Sequence, residues 1–349
     1  MNAPHRVALA VANIRKTFPI RLGIFRAPLT LTALDDISFS VDEGETVGIV
    51  GESGSGKSTL GRCILHLVQP DSGKIEFYGQ ELTHLSKEEM RQWRQDIQVI
   101  FQDPLASLNP RLAVGDIITD PLRSFFPGMK RNERRARALR MMDEVGLLPE
   151  MINRYPHEFS GGQAQRIGIA RALITEPKLI ICDEPVSALD VSIQAQILNL
   201  LARLKEEFKL TLIFISHDLS VVRHVSDRIL VLYLGRVVES APAGDLYASP
   251  KHPYTRALLT AVPIADPKKA RERTIEGLVG EIPSPINPPS GCHFRTRCPY
   301  AIDECARVRP PLDSAGEGRE VACIRWKEID ALGMAAATRR PEEVEAALQ

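Results

Sequence analysis

A glycine-rich turn between an apolar run and a helical pattern carries the clearest chemical signal in this sequence. Its sequence, GESGSGKST, follows the run Thr46–Val50 and matches the pattern G-x-x-x-x-G-K-[ST]. In that pattern, backbone N–H groups and the N-terminus of a helix surround phosphate groups. Lys57 would contact the β- and γ-phosphates, and the Ser58 hydroxyl would bind Mg²⁺. The residues predicted to bind ATP are Gly51, Glu52, Ser53, Gly54, Ser55, Gly56, Lys57, Ser58 and Thr59.

Two adjacent carboxylates, Asp183 and Glu184, follow the apolar residues 179–182. Ligands of α/β proteins bind beyond the carboxyl ends of parallel strands, so both carboxylates would lie at that edge. We predict that Asp183 binds Mg²⁺ and that Glu184 polarises the attacking water, because phosphoryl transfer depends on positioning and charge neutralisation. Such a pair can instead cap a helix or lie in a surface turn. The phosphate-binding motif favours the catalytic interpretation.

A second glycine-rich segment, SGGQ at residues 160–163, precedes a helical pattern. Apolar residues recur in that pattern at Ile167, Ala170, Leu173 and Ile174. The N-terminus of this helix could bind phosphate as well. Because one ATP does not need two such sites from one chain, the sequence predicts that two ATPase chains pair head-to-tail. Each chain would then complete the nucleotide site of the other.

Four apolar runs of strand length must position these groups, and they alternate with helical patterns. The runs are residues 45–50, 179–182, 212–216 and 229–234. Because their apolarity is continuous rather than alternating, both faces of the strands are covered, which predicts an α/β domain with a largely parallel sheet. Residues from about 104 to 175 are mainly helical, and the charged segment 130–140 has the pattern of a solvated helix face. We predict a helical subdomain there, inserted into the sheet domain.

Several short motifs, in this order, resemble those of the ABC transporter ATPase family over about residues 8–260. The sequence FSGGQ is similar to the ABC signature, with Phe159 in place of the commoner leucine. Gln102 resembles the Q-loop glutamine, Asp190 the D-loop aspartate and His217 the switch histidine. The resemblance implies the α/β fold of a P-loop NTPase, with a mostly parallel sheet, an antiparallel β part and an inserted helical subdomain.

The resemblance also implies roles for residues outside the phosphate loop. Gln102 would bind Mg²⁺ and sense the nucleotide, and His217 would contact the γ-phosphate; with Glu184 they form the implied catalytic set. The residues that would bind the ATP of a second subunit are Ser160, Gly161, Gly162 and Gln163. Phe18 resembles the aromatic residue on which adenine stacks, and core packing is the alternative for this side chain.

A narrower resemblance, to the peptide-permease branch of that family, rests on longer segments. They are FQDPLASLNP at 101–110, EPVSALDVSIQAQ at 184–196 and HPYTRAL at 252–258, while YPHEFS at 155–160 is similar to the second ATPase subunit of that branch. The resemblance implies ATP-driven import of oligopeptides or dipeptides, with nickel, glutathione or murein peptides as alternative cargoes. The implied partners are a second ABC ATPase subunit in a heterodimer, two transmembrane permease subunits and an extracytoplasmic substrate-binding protein. The implied location is the cytoplasmic face of the inner membrane, as a peripheral protein.

Composition limits the classes of function. In 349 residues, 44 Lys and Arg balance 44 Asp and Glu, so a nucleic-acid partner is not expected. No stretch reaches the roughly 18 consecutive apolar residues that would cross a bilayer, so transport would require separate membrane subunits. A soluble ABC ATPase outside transport is a further alternative, although such proteins usually carry two fused cassettes or a long coiled coil.

Proline use divides the chain, since 12 of its 25 prolines lie between Pro242 and Pro311. We therefore expect an ATPase domain over residues 1–260 and a proline-rich C-terminal domain over residues 261–330. The remaining residues, 331–349, would form a loose or weakly helical tail, especially from 335 onwards.

Four cysteines in the proline-rich part have the spacing Cys292-x5-Cys298-x6-Cys305-x17-Cys323. So short a segment cannot build a sizeable core, which suggests that a bound metal stabilises it. Zinc sites usually contain closely spaced cysteine pairs, which are absent here, whereas iron–sulfur clusters accept varied spacings. The family resemblance implies a 4Fe-4S cluster; Zn²⁺ and unliganded thiols are the alternatives. Cys63 and Cys182, by contrast, are expected in the core.

Overall fold

A computed structural model of the chain describes residues 6–21, 28–260 and 280–331. The strands are β1 Val7–Ile20, β2 Leu29–Asp42, β3 Thr46–Val50, β4 Ser72–Phe77, β5 Gln80–Glu81, β6 Ile97–Ile100, β7 Leu179–Asp183, β8 Thr211–Ile215, β9 Arg228–Tyr233, β10 Arg236–Pro242, β11 Asp313–Ser314 and β12 Glu320–Val321. The helices are α1 Lys57–Ile64, α2 Lys87–Trp93, α3 Val114–Phe125, α4 Arg131–Glu144, α5 Gly161–Leu173, α6 Val191–Phe208, α7 Leu219–Val225, α8 Ala243–Ala248, α9 Pro253–Thr260 and α10 Glu304–Arg307, with 3₁₀ turns at Pro149–Asn153 and Pro156–Glu158. The expected tail at 335–349 lies outside the described residues.

The larger sheet has eight strands in the order β11-β12-β10-β9-β3-β8-β7-β6. Strands β9, β3, β8, β7 and β6 are parallel, and every residue of β3 and β8 is buried, as their continuous apolarity predicted. Because β3, β8 and β7 are neighbours, their carboxyl ends meet at one edge of the sheet. The loops that begin there carry Gly51, His217 and Glu184.

A second, antiparallel sheet has the order β2-β1-β4-β5. Its inner face contributes Ile14 and Leu34 to a core that also contains Ile49 of β3 and Leu60 of α1. This core holds the antiparallel sheet beside the phosphate loop. The antiparallel β part implied by the family resemblance is therefore present.

Helices α3, α4 and α5 lie between β6 and β7 in the sequence and pack on one another. In α4, only Ala138, Met141 and Met142 are buried, so its charged residues form the solvated face that the sequence predicted. The buried side chains join a second core with Ile117 of α3 and Ile167 of α5. The helical region is thus inserted in the sequence between two paired strands of the larger sheet, β6 and β7.

The segment after residue 280 packs against the sheet domain. Strand β12 pairs with β10, and β11 extends the same sheet by one further strand. Cys63 and Cys182 are buried in the core, as expected. Among the described residues, no helix is long and apolar enough to cross a membrane.

Candidate functional site

The phosphate loop leaves the centre of the larger sheet and turns directly into α1. Gly51 has φ 153° and Gly56 has φ 106°, in the region that favours glycine. A Cβ atom at Gly51 would lie 2.2 Å from the carbonyl oxygen of Leu232, and one at Gly56 would lie 2.4 Å from that of Ala33. Only glycine fits at these two positions, which explains their place in the motif.

Lys57 is buried within this loop. Its Nζ atom donates to the carbonyl oxygens of Gly51, at 2.7 Å, and Glu52, at 2.9 Å. Burial lowers the pKa of Lys57, and the nearby carboxylates of Glu184, Asp183 and Glu52 oppose that effect. The ammonium group is therefore held at the loop by backbone carbonyls, where it can meet a phosphate oxygen.

Ser58 and Asp183 are two of the three residues predicted to bind Mg²⁺, the third being Gln102. The Ser58 hydroxyl donates to Asp183 Oδ1 at 2.9 Å, which joins the start of α1 to the end of β7. Burial raises the pKa of Asp183, while the hydrogen bond from Ser58 favours its ionised form. A hydroxyl and a carboxylate at this separation are suitable oxygen ligands for Mg²⁺.

Glu184 is the point at which three distant parts of the sequence meet. Its Oε2 atom accepts a hydrogen bond from Gln102 Nε2 at 3.0 Å, and its Oε1 atom lies 3.2 Å from His217 Nδ1. The backbone N–H of Glu184 donates to the carbonyl oxygen of Ile215, at the end of β8. The carboxylate is therefore oriented by both an amide and an imidazole, and a carboxylate fixed in this way can act as a general base toward water.

A cavity of about 650 Å³ lies over the phosphate loop. Phe18 lines it as a half-buried side chain, and this position differs from the fully buried one that core packing would give. The described residues that line the cavity are Phe18, Leu31, Thr32, Ala33, Ser53, Gly54, Gly56, Lys57, Ser58, Thr59, Gln102, Glu184, His217 and Pro285. A cavity lined by both an aromatic ring and a phosphate loop suits a nucleotide.

The second glycine-rich segment lies elsewhere. Ser160 precedes α5, where its side chain accepts from the Gln163 N–H at 3.4 Å and its own N–H donates to Gln163 Oε1 at 3.1 Å. Asp190 is exposed immediately before α6. The described lining of the cavity includes none of Ser160, Gly161, Gly162, Gln163 or Asp190. Their proposed use in a partner's site stays a prediction.

Two residues of the C-terminal segment reach the site without having been predicted to do so. The Thr32 N–H donates to the carbonyl oxygen of Pro285 at 3.1 Å, which places this proline on the cavity wall. Arg297 binds the carboxylate of Glu52 through both terminal nitrogens, at 2.6 and 3.1 Å. The Glu52 side chain therefore points to the C-terminal segment rather than into the cavity. No local motif marks either contact, because each joins residues more than 200 positions apart in the sequence.

The four C-terminal cysteines surround a second, much smaller cavity. Burial raises the pKa of Cys298 to about 11 and that of Cys323 to about 12, and it also raises the pKa of Cys292. The Cys292 N–H donates to the carbonyl oxygen of Cys305 at 2.8 Å, so the loops that carry these two residues are held together. Within the described ranges, no group of three or more His, Cys, Asp or Glu side chains is arranged to hold a metal ion.

Two family models match the chain. Residues 34–187 match the model described as ABC transporter, and residues 238–305 match the model described as oligopeptide/dipeptide transporter, C-terminal region. The first match contains the phosphate loop, Gln102, the SGGQ segment and Glu184. The second contains Cys292, Cys298 and Cys305.

Similar proteins span nearly the same length. The oligopeptide transport ATP-binding protein OppF of Escherichia coli is 57% identical over 323 residues, which cover 92% of this chain and 96% of that protein. OppF of Haemophilus influenzae is 58% identical over 304 residues, or 86% of this chain and 91% of that protein. A putative peptide import ATP-binding protein of Brucella ovis is 57% identical over 317 residues, or 91% and 97%.

Two solved structures resemble the sheet domain. The ATP-binding cassette MJ0796, in a dimeric post-hydrolysis state bound to ADP and Pi, has a TM-score of 0.61 and 33% identity, covering 67% of this chain and 98% of that one. Clostridium perfringens cbiO1, part of the ABC transporter complex cbiONQ, has a TM-score of 0.60 and 27% identity, covering 70% and 91%.

Proposed function

This chain belongs to the ATP-binding subunits of ABC transporters, and we propose that the residues around its phosphate loop hydrolyse ATP to drive the import of oligopeptides or dipeptides. The relatives at 57% identity are oligopeptide transport ATP-binding proteins, and the match covers most of both chains. The observation that carries the catalytic assignment is the carboxylate of Glu184, which lies between Gln102 and His217 at the edge of the nucleotide cavity. Such a subunit works at the cytoplasmic face of the inner membrane, as a peripheral protein.

The proposed reaction divides the work among the side chains of the cavity. Lys57 contacts the β- and γ-phosphates, and Ser58 and Asp183 bind Mg²⁺ together with Gln102. Glu184 accepts a hydrogen bond from the attacking water and so directs its lone pair at the γ-phosphorus. His217 contacts the γ-phosphate and, through its Nδ1 atom, holds Glu184 in place. Phe18 stacks on the adenine.

We infer that Ser160, Gly161, Gly162 and Gln163 bind the ATP of a second ATPase subunit, in a heterodimer. The start of α5 supports this inference, because the exposed Ser160 presents a helix N-terminus away from the chain's own cavity. The MJ0796 cassette, which resembles this chain, is dimeric in its structure with ADP and Pi. Asp190 would lie in the same interface.

A peptide importer also contains transmembrane permease subunits and a substrate-binding protein. We propose that the segment after Gln102 contacts the permease. Leu105, in that segment, is 45% exposed. Phe101, immediately before Gln102, is 40% exposed and lines an adjacent groove of about 260 Å³ with Leu67, Met90 and Phe125. Apolar side chains that open onto a groove suit the docking of a helix.

We further propose that the C-terminal cysteines hold a 4Fe-4S cluster. Bonds from the four thiolates to the cluster would link the loops of this segment and so stabilise it. Four thiols that line one cavity supply the donor set of such a cluster. His252 also lines the cavity, but its Nδ1 atom already accepts from the Tyr254 N–H at 3.1 Å.

The substitution Glu184→Gln tests the catalytic proposal in vesicles that contain the complete transporter. The amide cannot accept a proton from water, so we expect ATP hydrolysis to fall by about 100-fold or more while ATP still binds. ATP-driven uptake of a labelled tripeptide should fall with it. Glu206→Gln, at an exposed position of α6, is the matched control and should keep both activities. Hydrolysis at the unmodified rate in Glu184→Gln would overturn the assignment.

A further inference from the structure

We propose that Arg297 is a positioning residue for the phosphate loop, through which the cysteine-bearing segment sets the affinity for ATP. The proposal rests on the nucleotide-binding function proposed above and assigns that site a new determinant. Arg297 lies next to Cys298 in the sequence, and its side chain is only 4% exposed. It therefore joins the cysteine-bearing segment to the phosphate loop by a direct contact with Glu52.

Glu52, in the phosphate loop, is the residue that Arg297 binds. Both terminal nitrogens of the guanidinium donate to the Glu52 carboxylate, which is a bidentate ion pair with fixed geometry. The Glu52 N–H donates to Tyr254 Oη at 2.9 Å, and the Glu52 carbonyl oxygen accepts from Lys57 Nζ at 2.9 Å. Glu52 thus binds Arg297 through its side chain, and it contacts α9 and Lys57 through its backbone.

An aromatic cluster fixes the loop that carries Arg297. Phe294 is fully buried, and its ring centroid lies 5.3 Å from those of both Tyr233 and Tyr254. The guanidinium of Arg297 lies 5.9 Å from the Tyr233 ring centroid, and Arg297 Nη1 donates to Tyr233 Oη at 3.4 Å. The Arg297 N–H donates to the Phe294 carbonyl oxygen at 3.0 Å, so the anchored ring and the guanidinium belong to one turn, and the position of this turn is transmitted to Glu52.

The negative charge of Glu52 is the reason why its contact with Arg297 affects ATP binding. A carboxylate in a phosphate-binding loop repels the phosphates and competes with them for Lys57, whose ammonium group senses the charge of Glu52. The Glu52 side chain is 21% exposed, so solvent screens it only partly. Arg297 neutralises the carboxylate and turns it away from the cavity. Without Arg297, a negative charge would return to the loop.

Binding of a fluorescent ATP analogue with Mg²⁺ to the purified full-length chain tests the proposal. We expect Arg297→Met to weaken binding about tenfold, because an unpaired carboxylate near the phosphates costs on the order of one decade in affinity. Arg295→Met is the matched control, since this arginine belongs to the same loop and its described side-chain hydrogen bonds go to Ser290. The control should bind within about twofold of the unmodified chain.

The double variant Glu52→Gln with Arg297→Met separates a role at the loop from general support of the fold. Removing the carboxylate as well should restore binding to within about twofold of the unmodified chain. Equal affinity of Arg297→Met and the unmodified chain, or a double variant as weak as Arg297→Met, would overturn the proposal.

Thermal melting shows whether Arg297→Met folds. If it does not, Glu52→Gln alone decides, because it should bind at least as tightly as the unmodified chain, and weaker binding contradicts the proposal. Failure of the unmodified chain to bind the analogue would instead contradict the nucleotide-binding function itself.

Discussion

At the scale of single residues, Glu184 reaches both of its partners because of an unusual backbone conformation. Its φ is 49°, in the left-handed region that residues other than glycine seldom adopt. The strain of such a conformation is of the order of 1–3 kcal/mol and is commonly found at functional sites. Here it turns the carboxylate from the end of β7 toward Gln102 and His217. The hydrogen bond from the Glu184 N–H to Ile215 holds the backbone in place.

The four C-terminal cysteines give a prediction at the same scale. Chain purified without oxygen should contain about four iron ions per molecule and absorb visible light, since four thiolates hold such a cluster. Cys323→Ala should lose most of the iron, because this thiol lines the cavity. Cys63→Ala is the control and should keep the iron, since Cys63 lies in the core of the sheet domain. Zinc without iron in the unmodified chain would contradict the cluster.

At the scale of elements, the close packing of α5 on α6 positions the SGGQ segment. A Cβ atom at Gly162 would lie 2.5 Å from Cγ2 of Ile193, and one at Gly161 would lie 3.3 Å from Cδ2 of Leu189. These glycines therefore let the start of α5 approach α6 and the residues before it. The N-terminus of α5 and the exposed Asp190 consequently lie in adjoining positions, where we propose that they meet a second ATPase subunit.

Gly162→Ala should destabilise this packing. The added methyl group forces the two helices apart, and overpacking of this kind costs about 1–3 kcal/mol of unfolding free energy. Gly168→Ala is the control in the same helix, because apart from the neighbouring backbone of α5 no described atom lies within 4 Å of the position that its Cβ would take. Alanine there should be neutral or should stabilise the helix by up to about 1 kcal/mol. Urea unfolding measures both, and equal midpoints for the two variants would contradict this account of α5.

At the scale of the whole molecule, Asp35 joins three parts of the chain. Its carboxylate, 7% exposed, binds Arg15 of β1 at 2.7 Å and Arg236 of β10 at 2.6 Å, and Arg309 of the C-terminal segment lies 3.7 Å away. Burial alone would raise the pKa of Asp35, but the hydrogen bonds from Arg15 and Arg236 outweigh it and lower the pKa to about 2. One buried carboxylate thus holds both sheets and the C-terminal segment together.

The pKa of Asp35 predicts an acid-dependent stability. Because the folded value, about 2, lies below the ordinary 3.8, the stabilisation is present above about pH 4 and is lost as the pH falls toward 2. After allowance for solvent screening, it amounts to about 1–2 kcal/mol. Asp35→Asn should therefore lower the urea midpoint at pH 7, and the deficit should shrink at pH 3.

Asp36→Asn provides the control for that measurement. The Asp36 side chain is 49% exposed, so its ion pair with Arg309 should contribute less than about 1 kcal/mol. An Asp35→Asn deficit that is the same at pH 7 and pH 3 would show that the carboxylate's charge is not what joins the three parts.

Local patterns in the sequence were sufficient for the central strands and for the chemistry of the phosphate loop. Continuous apolarity marked β3, β7, β8 and β9 to within a residue or so at each end, because burial on both faces acts on each strand separately. The roles of Gly51 and Gly56 in the phosphate loop were also predictable from local sequence, since the backbone conformations that favour glycine are a property of the residue itself. The order of motifs then indicated the family, and the relatives support it.

Contacts between distant residues were decided by the tertiary structure alone. The strand order brings Gln102 and His217 to Glu184, although Gln102 is 82 positions away in the sequence. Arg297 meets Glu52 across 245 positions because Phe294 packs on Tyr233 and Tyr254. No hydrophobic period or glycine pattern in the sequence predicts such contacts between distant residues, since these contacts depend on how whole elements pack. The sequence by itself therefore determined a nucleotide-binding subunit, and only its packing connected the cysteine segment to the phosphate loop.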